Sequence, residues 1–185
     1  CSFAVLEVSS HALAQRRIAG VNFDSACFTN FRRDHLDFHG TLACYHAAKA
    51  RLAELVSPEG FIVYNADDAG SVRQLSACGA PALTFSLGEG AEVTGIVLER
   101  HKSEQTFLLS AGSDSAIVRT TMIGNHHVYN AIAAASVGLA YGIDLATIVR
   151  GIESVTQVPG RMERIECGQP FAVYVDYAHT PDALE

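Results

Sequence analysis

Lysine is nearly missing from this chain: of 13 basic residues only Lys49 and Lys102 are lysines. A cationic excess is missing too, since 13 Lys and Arg face 20 Asp and Glu for a formal charge of −7. That balance excludes a sequence-independent nucleic-acid binder and leaves local phosphate binding open. No apolar run approaches the roughly 20 residues that a membrane span needs, so no membrane insertion is expected. The five cysteines, at positions 1, 27, 44, 78 and 167, form no CxxC pair and no metal-ligand spacing. We read them as reduced, small core residues of a cytoplasmic protein. Internal repeats and low-complexity tracts are lacking, and a GxxxxGK[ST] phosphate loop occurs nowhere. What is present, 49% hydrophobic and 18% charged residues over 185 positions, describes a globular chain with enough apolar material for a core.

Both ends read as cut. Cys1 leads into the apolar run 3–8 with no basic segment before it, which argues against a signal peptide. Pro181-Asp182-Ala183-Leu184-Glu185 reads as the first turn of a helix. A piece of a longer protein is therefore expected.

Apolar runs of strand length (3–8, 25–29, 61–64, 82–85) alternate with helical periodicity over 10–18, 41–56 and 69–77. Continuous rather than alternating apolar strands, separated by helices, predict an α/β fold with a mostly parallel sheet flanked by helices. Three shorter runs at 93–99, 106–109 and 116–121, separated by polar turns, predict a small antiparallel sheet attached to it. Helices over 127–141 and 145–155 follow, joined by Gly142 as a C-cap and Asp144 as an N-cap. Pro159-Gly160 then breaks the pattern, and strands at 162–167 and 171–175 open a new unit. The expected domains are 1–158 and 159–185.

Three features carry chemistry. Glu7 stands at the expected C-terminal end of the first strand, where open α/β sheets bind ligands; it either holds a cation or starts a helix. Just past Thr29-Asn30, the stretch 32–40 packs two arginines, two acids (Asp34, Asp37) and two histidines (His35, His39) into nine residues. This composition fits a metal-centred phosphohydrolase or a nucleotide-dependent transferase with a histidine on Mg²⁺. Lys49 falls on the apolar stripe Leu42, Tyr45, Lys49, Leu52, Val56 of the third helical segment. It either snorkels to water or, next to the acid and histidine cluster, pairs with a phosphate or is chemically altered.

Glu7-Val8-Ser9-Ser10-His11, Phe28-Thr29-Asn30, 33–41 (RDHLDFHGT), 45–52 (YHAAKARL), 64–68 (YNADD), Pro159-Gly160-Arg161-Met162-Glu163 and 175–184 (VDYAHTPDAL) together resemble the Mur ligase family, closest to its MurE type. The resemblance spans nearly the whole chain, and only about 88–122 adds little. It implies a P-loop NTPase-like central ATP-binding domain over 1–158, lacking its phosphate loop, and the start of a C-terminal ligase domain over 159–185. It further implies ATP and Mg²⁺ as cofactors. UDP-MurNAc-dipeptide and a free amino acid, meso-diaminopimelate or L-lysine, would be the substrates of an ATP-dependent amide ligase in a bacterial cytoplasm. Glu7, His35 and Lys49, the last carrying a carbamate as N6-carboxylysine, would be the metal ligands, with Lys49 and His35 catalytic. Ser9, Gln15 and Arg17 would hold the UDP-sugar dipeptide. Asn130 and His127 would meet the adenine, Arg161 the phosphates and Asp176 the ribose. His126 and His127 stand where the family usually has Phe (or His) then Asn, so His127 offers the base no paired amide donor and acceptor. A monomer is expected, and the isolated chain is expected to be inactive. The alternatives are another amide ligase of the superfamily, of folylpolyglutamate or cyanophycin synthetase type; a metal phosphohydrolase built on Asp34, His35, Asp37 and His39; and a fragment that only binds nucleotide.

Overall fold

A computed structural model describes residues 2–179. The chain divides into two compact units, Cys1–Thr84 and Phe85–Glu185.

In the first unit, α1 (Ser10–Ala14) starts where the Ser9 hydroxyl accepts from Ala12 N at 3.2 Å. It is followed by β1 (Phe23–Phe28), α2 (Leu36–His39), α3 (Leu42–Glu54), β2 (Val56–Asn65) and α4 (Ala69–Leu75). Thr41 caps α3 by accepting from Cys44 N at 3.2 Å, and Asp68 caps α4 by accepting from Ser71 N at 2.7 Å. Such caps satisfy backbone donors that the first turn of a helix leaves without partners. Strands β1 and β2 are parallel, with Ala26 opposite Ile62 and Phe28 opposite Tyr64. Next to β2, Ile62 N donates to Pro81 O at 2.8 Å, at the entry to β3 (Ala82–Ser86). Ala26, Phe28, Phe31, Ile62, Tyr64 and Leu75 form the core. Each large apolar side chain fully buried there stabilises the unit by about 1.5–3 kcal/mol.

In the second unit, the end of β3 pairs in parallel with β4 (Val93–Arg100) at Phe85–Val93 and Ser86–Thr94. Strands β4, β5 (Gln105–Ala111) and β6 (Asp114–Thr120) are antiparallel neighbours, and the six-stranded order is β1-β2-β3-β4-β5-β6. The antiparallel addition expected over 93–121 is therefore part of the main sheet. Helix α5 (Asn125–Ala140) packs on β4 at Gly95, where an added Cβ would overlap Ile132 Cδ1. A Schellman-type end, with Gly142 at φ 76° and Ile143 N donating to Gly138 O at 3.0 Å, leads into α6 (Leu145–Glu153). Asp144 caps α6 through Thr147 N at 2.9 Å. A separate antiparallel pair, β7 (Glu163–Ile165) and β8 (Val173–Val175), follows.

Four expectations need correction. Residues 3–8 form no strand among the described residues: a strand exists only by pairing, and here Phe3, Val5 and Leu6 are exposed at 75%, 100% and 56%. The helix expected over 10–18 stops at Ala14, because Arg16 turns left-handed at φ 54°. The apolar stripe of α3 starts at Tyr45 rather than Leu42, which is exposed, and Val56 already belongs to β2. Cys27, Cys44, Cys78 and Cys167 are free and exposed rather than core residues. Cys27 alternates with buried Ala26 and Phe28 and so points to the opposite face of β1. Cys1 and the helix expected at 181–185 lie outside the described residues.

Candidate functional site

In the first unit, the loop leaving β1 is held from three sides. Asn65, at the end of β2, donates its Nδ2 to Thr29 O at 3.2 Å. From α3, buried His46 Nε2 is hydrogen-bonded to Phe31 O at 2.5 Å. Asp68 Oδ2 accepts from Phe31 N at 2.9 Å while also capping α4 and accepting from Ser71 Oγ at 2.7 Å. The start of α4 comes so close that a Cβ on Gly70 would lie 2.6 Å from Phe31 Cβ.

Lys49 uses this loop. Its Nζ donates to Asn30 O at 2.5 Å and lies 5.0 Å from the Phe31 ring centroid and 5.5 Å from that of Tyr45. Burial pulls the Lys49 pKa below the ordinary lysine value, with Asp68 and then Asp34 pulling the other way. The ammonium thus has one carbonyl and two aromatic faces in place of a carboxylate at contact distance. Burial also pushes the neighbouring Tyr45 hydroxyl up to about 12, with Asp34 and Asp68 adding to the rise.

Beside it, His35 occupies the N-cap position of α2 in the left-handed region, at φ 51° and ψ 34°, and its side chain makes no capping hydrogen bond. A non-glycine residue held there costs about 1–2 kcal/mol and is enriched at functional sites. Its N–H donates to Asp34 Oδ1 at 2.8 Å, its Nε2 is 3.4 Å from Asp34 Oδ2, and its ring meets that of His11 at 4.6 Å. His39 hydrogen-bonds Ser10 Oγ at 3.0 Å. Burial pulls the His39 pKa down, and His11 and His35 add to the effect.

Glu7 is exposed on a segment without regular secondary structure rather than at a strand end. Ser9 caps α1, while Gln15 and Arg17 lie exposed in the turn after that helix. Among the described residues no three His, Cys, Asp or Glu side chains converge as a metal-holding group. Asp34, His35, Asp37 and His39 therefore do not form the centre that a metal phosphohydrolase needs. Glu7 and His35 would likewise need a donor from outside those residue types.

In the second unit, the start of α5 carries His126, His127 and Asn130. His127 is 4% exposed, and neither ring nitrogen finds a hydrogen-bond partner among the described residues. Burial, then the adjacent His126, lowers its pKa to about 4; the Arg161 backbone and Asp176 favour the charged form only partly, without an aligned hydrogen bond. Burial thus favours the neutral imidazole of His127, whose ring nitrogens, without a well-aligned partner among the described residues, carry a desolvation cost that a hydrogen-bonding ring could relieve. Asn130, one helical turn on, is exposed. The Asp176 carboxylate accepts from Met162 N and from Ala178 N, each at 2.7 Å, and the Met162 bond leads in holding its pKa below the ordinary carboxylate value. The Arg161 guanidinium lies 5.2 Å from the Tyr177 ring centroid, Tyr177 N donates to Gly160 O at 2.9 Å, and Gly160 N donates to Glu163 Oε2 at 2.8 Å. The structure thereby gathers His127, Arg161 and Asp176, three of the four residues assigned to ATP.

Sequence reasoning gave no role to His11, His46 and Asp68, which lie within the motifs of the resemblance, and left out Gln105 altogether. Only Asp68 carried a local signal, an acid three residues before Ser71 at the start of a helix.

A mostly parallel six-stranded sheet flanked by helices, with two loop-borne clusters of charge at helix and strand ends, defines an α/β protein. Residues 1–138 match the Mur ligase middle domain, and the chain belongs to the Mur ligase family. It is 42% identical over a 190-residue alignment to the UDP-N-acetylmuramoyl-L-alanyl-D-glutamate–2,6-diaminopimelate ligase of Geobacillus kaustophilus (strain HTA426), covering 99% of this chain and 39% of that protein. It is 41% identical over 199 residues to the UDP-N-acetylmuramyl-tripeptide synthetase of Roseiflexus sp. (strain RS-1), covering 100% and 39%. A solved UDP-N-acetylmuramoyl-L-alanyl-D-glutamate–2,6-diaminopimelate ligase superposes with a TM-score of 0.81 at 36% identity, covering 99% of this chain and 38% of that one. The chain thus spans less than two fifths of the length of the curated relatives it matches. Among the described residues no helix is long and apolar enough to cross a membrane.

Proposed function

We propose that this chain is the central ATP-binding part, 1–158, and the opening of the C-terminal ligase domain, 159–185, of a bacterial cytoplasmic amide ligase. That enzyme adds the third amino acid, meso-diaminopimelate or L-lysine, to UDP-MurNAc-L-Ala-D-Glu. The observation that carries the reading is similarity along essentially the whole chain to ligases of that substrate, at about 40% identity. The separate β7–β8 pair supports the boundary between 158 and 159.

The residues fit a nucleotide through the unpaired, buried ring nitrogens of His127, which would meet the base together with Asn130. Arg161 would neutralise phosphate charge, and Asp176, an ionised acceptor, would take ribose hydroxyls with the lone pairs left after its two backbone bonds. Glu7, His35 and a carbamylated Lys49 would hold Mg²⁺. When bound, this cation supplies charge neutralisation for the phosphates.

Lys49 has the chemistry for carbamylation. Burial favours loss of one proton from its ammonium; the nitrogen lone pair of the resulting neutral amine attacks CO₂, forming an N–C bond and releasing a second proton to water. The product is an anion where an expensive buried cation stood.

In the reaction itself, the D-glutamyl carboxylate attacks the γ-phosphorus of ATP and ADP leaves. The amine of the incoming amino acid then attacks the acyl phosphate, loses a proton, and inorganic phosphate departs. Catalysis by this chain consists of positioning and electrostatics, with Ser9, Gln15 and Arg17 holding the UDP-sugar dipeptide. The isolated 185 residues, being less than two fifths of the relatives' length, would turn nothing over.

The test follows ADP release by the full-length protein with ATP and UDP-MurNAc-dipeptide, with and without amino acid. Release that depends on both the dipeptide and an amino acid supports the ligase. Phosphate release from simple esters without any amino acid would instead support a phosphohydrolase and overturn this reading.

A further inference from the structure

Gln105 is a polar residue at the first position of β5, 1% exposed, and all of its amide's chemistry is directed at one turn. Its Nε2 donates to Met122 O at 2.7 Å and to Gly124 O at 3.1 Å, and its Oε1 accepts from Gly124 N at 3.2 Å. Only an amide in this orientation matches two carbonyls and one N–H, since the flipped amide would face its oxygen to the carbonyls. The other end of the turn is pinned by Thr120, whose Oγ1 accepts from Met122 N at 3.1 Å.

The turn is the start of α5. Gly124 is its N-cap, at φ 103° and ψ 153°, and has no side chain with which to cap the helix. Its carbonyl accepts from Gln105 Nε2 and also from His127 N, at 3.2 Å. Gln105 and the backbone of His127 therefore share one acceptor, and the angle at which α5 leaves the turn determines where the unpaired imidazole points. At φ 103° any side chain on Gly124 would be strained, so a substitution there shifts the turn itself.

We propose that Gln105 is a positioning residue for the nucleotide-base subsite, acting through the Gly124 turn on His127 and Asn130. This rests on the nucleotide reading given above. A buried amide that served the fold alone would leave base preference untouched when removed; one that aims the base-binding helix would not.

The experiment uses the full-length protein carrying Gln105→Met, which keeps the length and removes all three hydrogen bonds, and Gln105→Glu, which sets a carboxylate against two carbonyl oxygens. Steady-state kinetics with ATP and GTP are read beside thermal midpoints. The expected result is a KM for ATP raised about tenfold or more and an ATP-over-GTP preference reduced by a similar factor. The KM values for the UDP-sugar dipeptide and the amino acid should stay within about twofold. A folded variant with a lowered midpoint and an unchanged ATP-over-GTP preference would overturn the proposal. If Gln105→Met does not accumulate as folded protein, Gly124→Ala perturbs the other end of the same clamp, with the same two outcomes. His127→Ala and Asn130→Ala act as controls: if neither alters KM for ATP or base preference, the base-subsite reading has failed, and the Gln105 proposal falls with it.

Discussion

Replacing Asp68 by alanine removes one oxygen that does three things, so its cost can be worked from the structure. The α4 cap at Ser71 N is lost, worth about 1 kcal/mol. The N–H of Phe31, a residue only 2% exposed, loses its acceptor, which costs about 1–3 kcal/mol when no water replaces it. Together these give about 2–4 kcal/mol, or about 5–15 °C in thermal midpoint for a domain of this size. Asp68→Asn keeps an acceptor oxygen at the same reach and should lose less than half as much. Urea unfolding of the full-length protein measures the stability difference, and hydrogen exchange at the Phe31 amide reports the local release. An Asp68→Ala variant within about 0.5 kcal/mol of the parent, the level of an ordinary surface substitution, would refute the idea that this carboxylate holds the Asn30–Phe31 loop on which Lys49 sits.

Lys49→Ala in the full-length protein should abolish ligation and regain part of it with a short carboxylic acid; unchanged activity, or no rescue, would count against the carbamate. His127 has its pKa depressed from 6.5 to about 4, so the unfolded chain takes up the proton first. Its contribution to stability is therefore full above pH about 6.5 and is lost as pH falls towards about 4. His127→Asn should flatten that slope in urea titrations run across the window, and an unaltered slope would contradict the buried neutral imidazole. Gly95→Ala should cost about 1–3 kcal/mol through overlap with Ile132, and Ile132→Val, which lacks the overlapping Cδ1, should recover part of it in chemical denaturation.

What the chain disclosed before its structure follows from how local each cause is. Parallel strands such as β2, with Ile62, Val63 and Tyr64 all buried, read directly as continuous apolar runs. The cap at Asp144 and the left-handed Gly142 are contained in a few neighbouring residues, and they were legible for that reason. Residues 3–8 have the composition of a strand, but composition cannot supply a pairing partner. The position of Lys49 on the inner side of α3 was visible from periodicity, whereas its acceptor, the Asn30 carbonyl, comes from 19 residues away. Gln105 was invisible for the same reason. A glutamine opening a strand looks like surface, and its partners lie 17 and 19 residues on, in a turn whose backbone groups have no signature of their own. The exposure of Cys27 beside two core residues shows the complementary error, in which an apolar residue type was assigned to the interior without regard to the face it occupies.

The measurement that addresses the central claim most directly is mass spectrometry of the UDP-linked product. The full-length protein is incubated with UDP-MurNAc-L-Ala-D-Glu, ATP, Mg²⁺ and, separately, meso-diaminopimelate and L-lysine. The account predicts a product heavier than the dipeptide precursor by one amino acid less one water, formed with one of the two amino acids and only when ATP is present. An unchanged precursor mass under all of these conditions, with the protein folded and binding ATP, would contradict it.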